Sequence, residues 1–348
     1  MPRDLTTFTK AAKNGILELL KTHPDEKPLP SLRQLADDFD LHSTTIFRIL
    51  HDLEAEGLVW QGPSRRFYPA GSKSNTLKGK PVCFIGRKIQ EWSQLYQEII
   101  EGIAEVCAAN ESPLILQSAP ELVQVPVQLE PAILASEKDQ KTELKRLLKT
   151  VPNGCAGFIL DHLWSDAALR SLKFPAGQCI QLLAGTGKYA KVISPNYEAG
   201  SQLIANYVKS RNFDQVYLVE ANPEEPLLHQ SMAHIQETLA DISTHSFSYY
   251  DKAAIESAIA SIGPHCCFIC IEDNTALGLA DQILASESAQ TFDMIEMLAI
   301  QGTGVVTAPH TRLRYDYRRL GRAAASSILH GTAIKQMAPR LVTRMEED

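Results

Sequence analysis

Residues 30–68 read PSLRQLADDFDLHSTTIFRILHDLEAEGLVWQGPSRRFY, and this stretch decides the fold of the N-terminal part of the chain. Ser31 and Gln34 have the spacing of a capping box, in which the serine side chain accepts from the backbone and the glutamine reaches back. A helix is therefore predicted to begin here. Its apolar residues recur with the spacing of one helical face and are Leu32, Leu35, Ala36 and Phe39.

A second helix is predicted after a turn of a few residues. Ser43 is expected to be its N-cap, and Gly57 stands where a left-handed C-terminal cap is expected. Its inward face consists of Ile46, Ile49, Leu50 and Leu53, and its outward face of Thr44, Phe47, Arg48 and His51. Segments 58–60 and 65–68 flank a Gly-Pro-Ser turn and indicate a hairpin. Helix, turn, helix and hairpin together predict a winged helix-turn-helix.

Three segments of this stretch resemble the DNA-binding head of the GntR family of bacterial transcription regulators. They are residues 29–36 (LPSLRQLA), 45–46 (TI) and 53–58 (LEAEGL). The resemblance implies that the second helix enters the major groove of DNA. Two positions depart from the family's pattern, since Ser43 and Phe47 stand where its members usually have arginine.

The composition of the 348-residue chain, with 44% hydrophobic and 22% charged residues, indicates a soluble protein of about two domains. No apolar run approaches the ~20 residues needed to cross a bilayer, and the polar N-terminus does not resemble a signal peptide. Seven scattered cysteines, an odd number, do not form a disulfide framework. A cytoplasmic location is therefore expected.

The charge balance argues against wholesale coating of nucleic acid. The formal net charge is −7, and a count over the first seventy residues gives nine Lys and Arg against ten Asp and Glu. DNA contacts must therefore come from locally placed side chains. Phosphate contacts are expected from Arg33, Thr45, Arg65 and Arg66, and base-edge contacts from Ser43, Thr44, Phe47 and Arg48. Phe47 has two interpretations, contact with a thymine methyl group or packing against the hairpin or the rest of the chain.

Changes in composition divide the chain into three parts. Residues 1–70 form the helix-turn-helix domain, in which a first helix over 9–21 backs the other two. Residues 71–80, rich in glycine, serine and lysine, are a linker. Residues 81–348 alternate short apolar runs with amphipathic segments, which predicts an α/β domain of two lobes with parallel sheets. Ligands of such sheets bind beyond the carboxyl ends of the strands.

The alternation assigns individual elements to residues 81–300. The expected strands cover 82–85, 114–116, 156–160, 179–183, 216–219, 247–250, 266–271 and 297–300. The expected helices cover 96–109, 137–149, 198–209, 228–239, 253–262 and 275–285.

Residues 81–345 resemble the effector domains of the LacI/GalR family, which have the periplasmic-binding-protein fold. The resemblance is carried, in the family's order, by 192–200 (VISPNYEAG), 270–278 (CIEDNTALG), 299–302 (AIQG), 315–324 (YDYRRLGRAA) and 339–344 (PRLVTR). A GntR-like head on such a domain is the arrangement of arabinose-repressor-like regulators. The resemblance implies a homodimer on a pseudo-palindromic operator and a small-molecule effector between the lobes.

The cleft between the lobes departs from the family's sugar-binding pattern. Positions where the family has arginine, glycine and two aspartates hold Ser231, His234, Gly304 and Pro195. Such charged groups normally bind pairs of sugar hydroxyls, so the effector is expected to be sugar-like or of another class. The residues expected to bind it are Arg87, Trp92, Tyr96, Asp161, Asn196, Ser231, Asp273, Gln301 and Gly304.

Other motifs are interpreted as structural. Cys267 and Cys270 have the spacing of a zinc-binding pair, but zinc needs four ligands and no second pair lies at suitable spacing. Residues 185–188 (GTGK) lack the full phosphate-loop pattern, and 302–304 (GTG) is a weak dinucleotide fingerprint. Residues 161–162 (Asp-His) end a strand, yet no nucleophile with an ordered base can be assigned near them. No metal, cofactor or catalytic residue is expected.

These observations predict a ligand-responsive transcription regulator, specifically a repressor, whose partners are double-stranded operator DNA, a second copy of the chain and a small effector. The effector would favour one closure state of the lobes and so change the spacing of the two heads. Two alternatives stay open. The cleft could serve as a protein-docking module, or the body could be an enzyme with a regulatory head.

Overall fold

Three helices and a two-stranded antiparallel hairpin form the head in the computed structural model of the protein. They are α1 (Leu5–Thr22), α2 (Leu32–Asp38), α3 (Ser43–Ala55), β1 (Val59–Gln61) and β2 (Phe67–Pro69). This is the element order predicted for residues 30–68, preceded by one helix. The structure describes residues 5–24, 27–62, 65–70, 77–87, 94–124, 133–152, 154–172, 178–220, 226–263, 265–286, 294–302, 310–332 and 337–342.

The capping box predicted at the start of α2 is confirmed. The Gln34 N–H donates to Ser31 Oγ (3.2 Å), and the Ser31 N–H donates to Gln34 Oε1 (3.0 Å). Two N–H groups that the helix itself cannot satisfy are thereby paired. Behind the box lies the core of the head, which consists of Ala12, Ile16, Leu29, Leu35, Ala36, Ile46, Ile49, Leu50, Leu53, Val59 and Phe67.

The start of α3 differs from the prediction. His42 is the N-cap residue, with an extended backbone (φ −72°, ψ 140°), and no side chain caps the helix. The turn explains the shift, because Asp40 is left-handed (φ 50°) and the Leu41 N–H donates to Ala36 O (3.0 Å). The chain has therefore entered the helix by residue 43. The prediction that Ser43 caps α3 is wrong, since it is the first helical residue.

The end of α3 is as predicted. Gly57 is left-handed (φ 75°), its N–H donates to Glu54 O (3.0 Å), and the Leu58 N–H donates to Leu53 O (2.9 Å). These two bonds form a Schellman motif, in which a residue with a β-carbon would be strained. The motif turns the chain from α3 directly into β1.

The first sheet of the body is five-stranded and parallel. In spatial order its strands are β4 (Leu114–Ser118), β3 (Val82–Gly86), β7 (Gly157–Leu160), β8 (Cys179–Leu182) and β9 (Lys191–Ile193). A separate short ladder pairs β5 (Val123–Gln124) with β6 (Ile133–Leu134). The accompanying helices are α4 (Gln94–Ala109), α5 (Glu137–Thr150), the short α6 (Asp166–Leu169) and α11 (Tyr317–His330). We call these elements the N lobe.

The second sheet has six strands and defines the C lobe. In spatial order they are β11 (Thr244–Ser248), β10 (Gln215–Glu220), β12 (His265–Glu272), β13 (Met294–Gly302), β14 (Thr311–Arg314) and β15 (Arg340–Val342). The first five are parallel, and β15 runs antiparallel to β14. The helices of this lobe are α7 (Tyr197–Arg211), α8 (Pro226–Thr238), α9 (Lys252–Ala260) and α10 (Asp273–Ala285).

The predicted α/β class with two parallel-sheet lobes is confirmed. Every strand and helix expected in residues 81–300 is present, with ends shifted by at most three residues. The alternation omitted β9, β14, β15 and α11, which lie in or beside segments quoted only for the family resemblance, and the short elements β5, β6 and α6. The cysteines of β12 are buried free thiols, as expected. None of the described helices combines the length and the apolar composition needed to span a membrane.

Helices α4 and α11 cross at close range in the N lobe. A β-carbon on Gly102 would lie 1.9 Å from Arg318 O, and one on Gly321 would lie 2.0 Å from Ile99 O. Residues with side chains at these two positions would collide with the opposite backbone. The approach of the two helices therefore requires glycine on both.

Ion pairs flank this crossing. Glu105 accepts from Arg318 Nε (2.6 Å) and pairs with Arg322 (3.2 Å). Glu98 pairs with Arg314 (3.3 Å), which is the last residue of β14 in the C lobe. Exposed pairs of this kind contribute little to stability, about 0–1 kcal/mol each. The pair of Glu98 with Arg314 nevertheless joins α4 of the N lobe to a strand of the C lobe.

The hairpin of the head packs on the body. Trp60 is 3% exposed, stacks on Tyr68 with 5.2 Å between ring centroids, and belongs to the largest buried cluster of the body. Gln178, which directly precedes β8, donates from Nε2 to Gln61 O (3.1 Å). Leu77, within the expected linker, is fully buried in the same cluster. The head is therefore held to the N lobe by contacts as well as by the chain.

Replacing Gly102 with alanine is expected to destabilise the protein by roughly 1–3 kcal/mol, because the added methyl group overlaps the α11 backbone. Urea unfolding followed by tryptophan fluorescence measures the change. Ala108→Ser, on an exposed site of the same helix, is the control and should stay within about 0.5 kcal/mol of wild type. Wild-type stability of the Gly102→Ala protein would contradict the close crossing.

Candidate nucleic-acid interface and ligand cleft

The outward face of α3 carries the side chains expected to contact base edges. Thr44 and Arg48 are exposed, and Phe47 is 39% exposed. Ser43 and Thr45, in the first turn, are half-buried. The face is thus a short polar strip with one aromatic ring in its middle.

Phe47 packs towards the hairpin while keeping part of its ring in solvent. Its ring meets His51 edge-on with 4.4 Å between centroids and Phe67 of β2 at 6.4 Å. His51 also lies edge-on to Phe67 at 5.6 Å. Of the two interpretations given to Phe47, packing against the hairpin agrees with these contacts. The exposed part of the ring still faces outward from α3.

A buried carboxylate fixes α3 to the hairpin. Glu54 is 7% exposed, and its Oε1 accepts from the Gln61 N–H (3.1 Å). Its Oε2 lies 3.0 Å from His51 Nδ1. Sequence reasoning missed this contact, because Glu54 adjoins the apolar stripe of α3 but is of a residue type that usually faces solvent. The carboxylate therefore links the end of α3 to the first strand of the hairpin.

The three other arginines expected to contact DNA are exposed. Arg33 lies on α2, and Arg65 and Arg66 precede β2. Arg66 Nη2 donates to Leu29 O (3.3 Å), so this side chain reaches the segment that precedes α2. Arg65 is left-handed (φ 60°), and its N–H donates to Gly62 O (2.9 Å). The two residues between Gly62 and Arg65 lie outside the described part of the chain.

The strand order of the N lobe places its topological switch point between β3 and β7. The chain passes from β3 to β4 on one side and then to β7 on the other, and ligands of such sheets bind at this switch point. Arg87 directly follows β3, and Asp161 directly follows β7. The Asp161 N–H donates to Ile85 O (3.2 Å), which extends the ladder to the sheet edge. Two predicted ligand-binding residues therefore lie side by side at the switch point.

Asp161 is fully buried and forms the centre of a cluster with Arg87, Tyr96 and His162, which we call the Asp161 cluster. Its Oδ2 accepts from Tyr96 OH (2.8 Å) and from the Arg87 Nε and backbone N–H (3.4 Å each). Its Oδ1 accepts from the Leu163 N–H (3.2 Å) and lies 2.8 Å from His162 Nδ1. Arg87 Nη2 donates to Tyr96 OH (3.2 Å), which closes the ring of contacts.

The pKa of Asp161 is held well below its usual range. Burial by itself would raise it, because the carboxylate loses its water. The charges of His162 and Arg87 and the hydrogen bond from Tyr96 outweigh burial. The group is therefore an anion at neutral pH, and its charge is balanced within the cluster.

The switch point of the C lobe lies between β10 and β12 and carries a second buried carboxylate. Asp273 directly follows β12, is 1% exposed, and lies 2.8 Å from His310 Nε2 through its Oδ1. At the same sheet edge, burial and the charge of Glu272 raise the pKa of Tyr250. His310 is a partner that sequence reasoning missed, because residues 303–310 show no periodicity that would place it.

Two predicted cleft residues have structural contacts. Asn196 caps α7, its Oδ1 accepting from the Ala199 N–H (3.0 Å). Ser231 is buried on α8, and its carbonyl accepts from Ser201 Oγ of α7 (3.3 Å). Both residues thus lie where α7 meets its neighbours, Asn196 through its side chain and Ser231 through its backbone carbonyl.

Three further predicted cleft residues have no described side chain. Trp92 and Gly304 lie outside the described residues, and Gln301 is described only through its backbone, which pairs with Glu272 at the end of β13. Among the predicted cleft residues, the structure thus describes one buried carboxylate at the switch point of each lobe, Asp161 and Asp273.

The motifs interpreted as structural have ordinary surroundings. Residues 185–188 form a loop in which Thr186 Oγ1 donates to the Asp166 carboxylate (2.8 Å). Cys267 and Cys270 are buried in β12. Within the part of the chain that the structure describes, no three His, Cys, Asp or Glu side chains are grouped to hold a metal ion.

A helix-turn-helix head on a two-lobed α/β body is the architecture of LacI-type regulators. For the head, a family model described as the IclR helix-turn-helix domain matches residues 15–63. This is a different helix-turn-helix family from GntR, so the GntR resemblance of the head is not confirmed. No curated protein matches the chain by sequence.

Solved structures of transcription regulators share the fold. The trehalose repressor from Escherichia coli has a TM-score of 0.57 at 12% identity, covering 76% of this chain and 100% of that chain. The lac repressor dimer bound to operator and the anti-inducer ONPF has 0.58 at 14%, covering 76% and 92%. A LacI family regulator from Enterococcus faecium with bound ribose has 0.55 at 15%, covering 76% and 97%. At these identities the likeness establishes the fold.

Replacing Asp161 with asparagine is expected to lower the free energy of unfolding by roughly 2–4 kcal/mol at neutral pH, because Arg87 and Tyr96 lose a charged partner. The folded-state pKa of Asp161 lies below the unfolded value of about 3.9, so the carboxylate stabilises the fold above that pH. The stabilisation is lost as the pH falls below about 4.

Urea titrations of both proteins at a series of pH values measure this effect. The difference between wild type and variant should be constant from about pH 7 to pH 5 and shrink below about pH 4. Asp281→Asn, at an exposed carboxylate of α10, is the control and should change stability by less than about 0.5 kcal/mol. A difference that grows on acidification would contradict the assignment.

Proposed function

We propose that the protein is a ligand-responsive bacterial transcription regulator, a repressor that binds a pseudo-palindromic operator as a homodimer. The observation that supports this function is the combination of two features in one chain. One is a helix-turn-helix whose third helix presents a polar outward face, and the other is a two-lobed body with a buried carboxylate at each switch point. The body then senses a ligand and does not catalyse a reaction, as in the repressors that share its fold.

On DNA, α3 lies in the major groove, and the two heads of a dimer contact half-sites about 34 Å apart. The side chains that face base edges are Ser43, Thr44, Phe47 and Arg48. Those that contact phosphates are Arg33, Thr45, Arg65 and Arg66. Among these residues, Arg48 should contribute most to base recognition, because a guanidinium can donate two hydrogen bonds to one guanine.

The finer description of the head is a GntR-like winged helix in which the hairpin is the wing. Support comes from the hairpin that directly follows α3 and from the exposure of Arg65 and Arg66 beside it. The proposed domains are residues 1–70, a linker over 71–80, and the effector and dimerisation domain over 81–348. Burial of Leu77 indicates that packing against the body already begins inside the linker.

Control by ligand follows from the two lobes. A small molecule between the switch points that binds one closure state better than the other shifts the population towards that state. Ligand binding and DNA binding are then linked by a coupling free energy, because the closure state of the lobes sets the geometry of the dimer and so the spacing of the heads. The contact of Gln178 with Gln61 provides a direct attachment of each head to its N lobe.

The DNA-binding test begins by selecting genomic fragments with the full-length protein and then measures affinity for a selected site by fluorescence anisotropy. Arg48→Ala should weaken specific binding by roughly 1–3 kcal/mol, about 5- to 150-fold, and relax sequence preference. Arg211→Ala is the control, since this exposed arginine ends α7 in the C lobe. It should leave the affinity unchanged.

A phosphate contact has a different signature. Arg33→Ala should weaken binding to all sequences alike and reduce the slope of log affinity against log salt by about 1. A full-length protein that binds no fragment in a salt-sensitive, sequence-dependent manner, with or without a cellular small-molecule extract, would show that the proposed function is wrong.

A further inference from the structure

The hairpin of the head is buried on both of its faces. Successive side chains of a strand point to opposite sides. Val59 and Phe67 belong to the core of the head. Trp60 and Tyr68, which face each other across the two strands, pack instead in the largest buried cluster of the body. The hairpin is therefore shared between the core of the head and the core of the body.

The body meets the hairpin at the edge formed by the amino ends of its N-lobe strands, which we call the amino edge. Gln178, whose side chain donates to Gln61 O (3.1 Å), directly precedes β8. Val82, in the same buried cluster as Trp60, is the first residue of β3. Because the strands are parallel, the switch point that carries Asp161 lies at the opposite edge. The five residues of β3 separate the two edges by roughly 16 Å.

The end of the linker is attached to the N lobe separately from the hairpin. Leu77 is fully buried in the same cluster of the body. The Gly79 N–H donates to Asn110 O (3.3 Å), just beyond the end of α4. The head is thus held through its hairpin and through the segment that follows it. Two attachments on different elements restrict rotation of the head against the N lobe more than either one would.

We propose that this docking fixes the spacing of the half-sites that the dimer binds, with Trp60, Tyr68 and Gln178 as the residues that determine it. This inference rests on the proposed function and names how the operator is selected. A fully flexible linker over residues 71–80 would have a root-mean-square length of roughly 16–19 Å. Heads on such linkers could reach half-sites at several spacings. Docked heads could not, because each added base pair moves a half-site by about 3.4 Å and turns it by about 35°.

The same contacts determine how closure of the lobes would reach the DNA. The head is attached to the amino edge of the N lobe, so a rotation of that lobe rotates its head by the same angle. In the proposed mechanism, an effector therefore changes the half-site spacing that the dimer prefers. It does not release the heads from the body.

The experiment uses fluorescence anisotropy to measure the affinity of the full-length protein for a selected operator and for copies with two base pairs inserted or removed between the half-sites. Two base pairs move a half-site by about 7 Å and turn it by about 70°. Wild type should lose affinity at least about tenfold for either copy, because it must give up the docking or one half-site. Affinity for a single half-site is measured in parallel.

Two variants loosen the docking and leave the outward face of α3 unchanged. Trp60→Ala removes the ring that packs on the body, and Gln178→Ala removes the hydrogen bond to the hairpin from the side of the body. Each should reduce the loss of affinity caused by altered spacing, at least about threefold for Trp60→Ala and less for Trp60→Phe. Gln202→Ala, at an exposed glutamine of α7, is the matched control and should keep the wild-type spacing preference.

Hydrogen exchange shows whether the head of each variant is intact. The backbone N–H groups of α2 and α3 should stay protected, whereas those of residues 77–80 should exchange faster than in wild type. A Trp60→Ala protein that loses protection in α3 has an unfolded head. Gln178→Ala, which changes no residue of the head, then decides the test.

Two outcomes would overturn the inference. One is that wild type binds the original operator and both altered copies with equal affinity. The other is that wild type is selective and the variants with intact heads are equally selective, which means that the spacing is fixed elsewhere. Sequence-specific binding without a spacing preference would overturn the docking and leave the regulator intact. A protein with no sequence-specific binding to the operator or to a single half-site would overturn the proposed function itself.

Discussion

The N lobe depends on the close crossing of α4 and α11. The two backbones approach so closely at Gly102 and Gly321 that a methyl group at either position would overlap the opposite chain. Helix α11 comes late in the chain, after five of the six strands of the C lobe. Only β15 follows it. The N lobe is therefore completed only after the chain has built most of the C lobe and returned. Neither lobe is a contiguous segment, and relative motion of the lobes must occur at the connections between them.

The crossing also sets the geometry of the cleft. Helix α4 carries Tyr96 in its first turn, and Tyr96 holds both Asp161 and Arg87. A small change in the position of α4 would break two of the hydrogen bonds that orient Arg87. From the other end of the sheet, Gln178 attaches the hairpin of the head to the residue before β8. A rotation of the N lobe about its connections would therefore carry the head with it, whereas a head on a free linker would not follow.

Local features of the fold could be predicted from the sequence, and long-range ones could not. The capping box of Ser31 and Gln34 and the left-handed Gly57 depend on neighbouring residues, so their pattern is visible in the chain. The start of α3 was misplaced because the left-handed Asp40 shortens the turn, which residue spacing does not reveal. The candidate site shows the same division. Arg87 and Asp161 could be placed at strand ends. The contacts that Tyr96 and His162 make with the Asp161 carboxylate could not, because they depend on distances in the folded chain that the sequence does not contain.

The head presents a rigid reading face with little charge, and this constrains how it can select DNA. Glu54 fixes α3 to β1, and the rings of Phe47, His51 and Phe67 pack edge to edge between α3 and β2. A face held by these contacts is expected to fit its site by shape and by a few directional bonds. The near balance of acidic and basic residues in the head limits the number of phosphates it can neutralise, and so limits the nonspecific affinity that all DNA shares. In the proposed function, discrimination between sites then depends on the base-edge contacts of α3, because the electrostatic attraction that could conceal a mismatch is small.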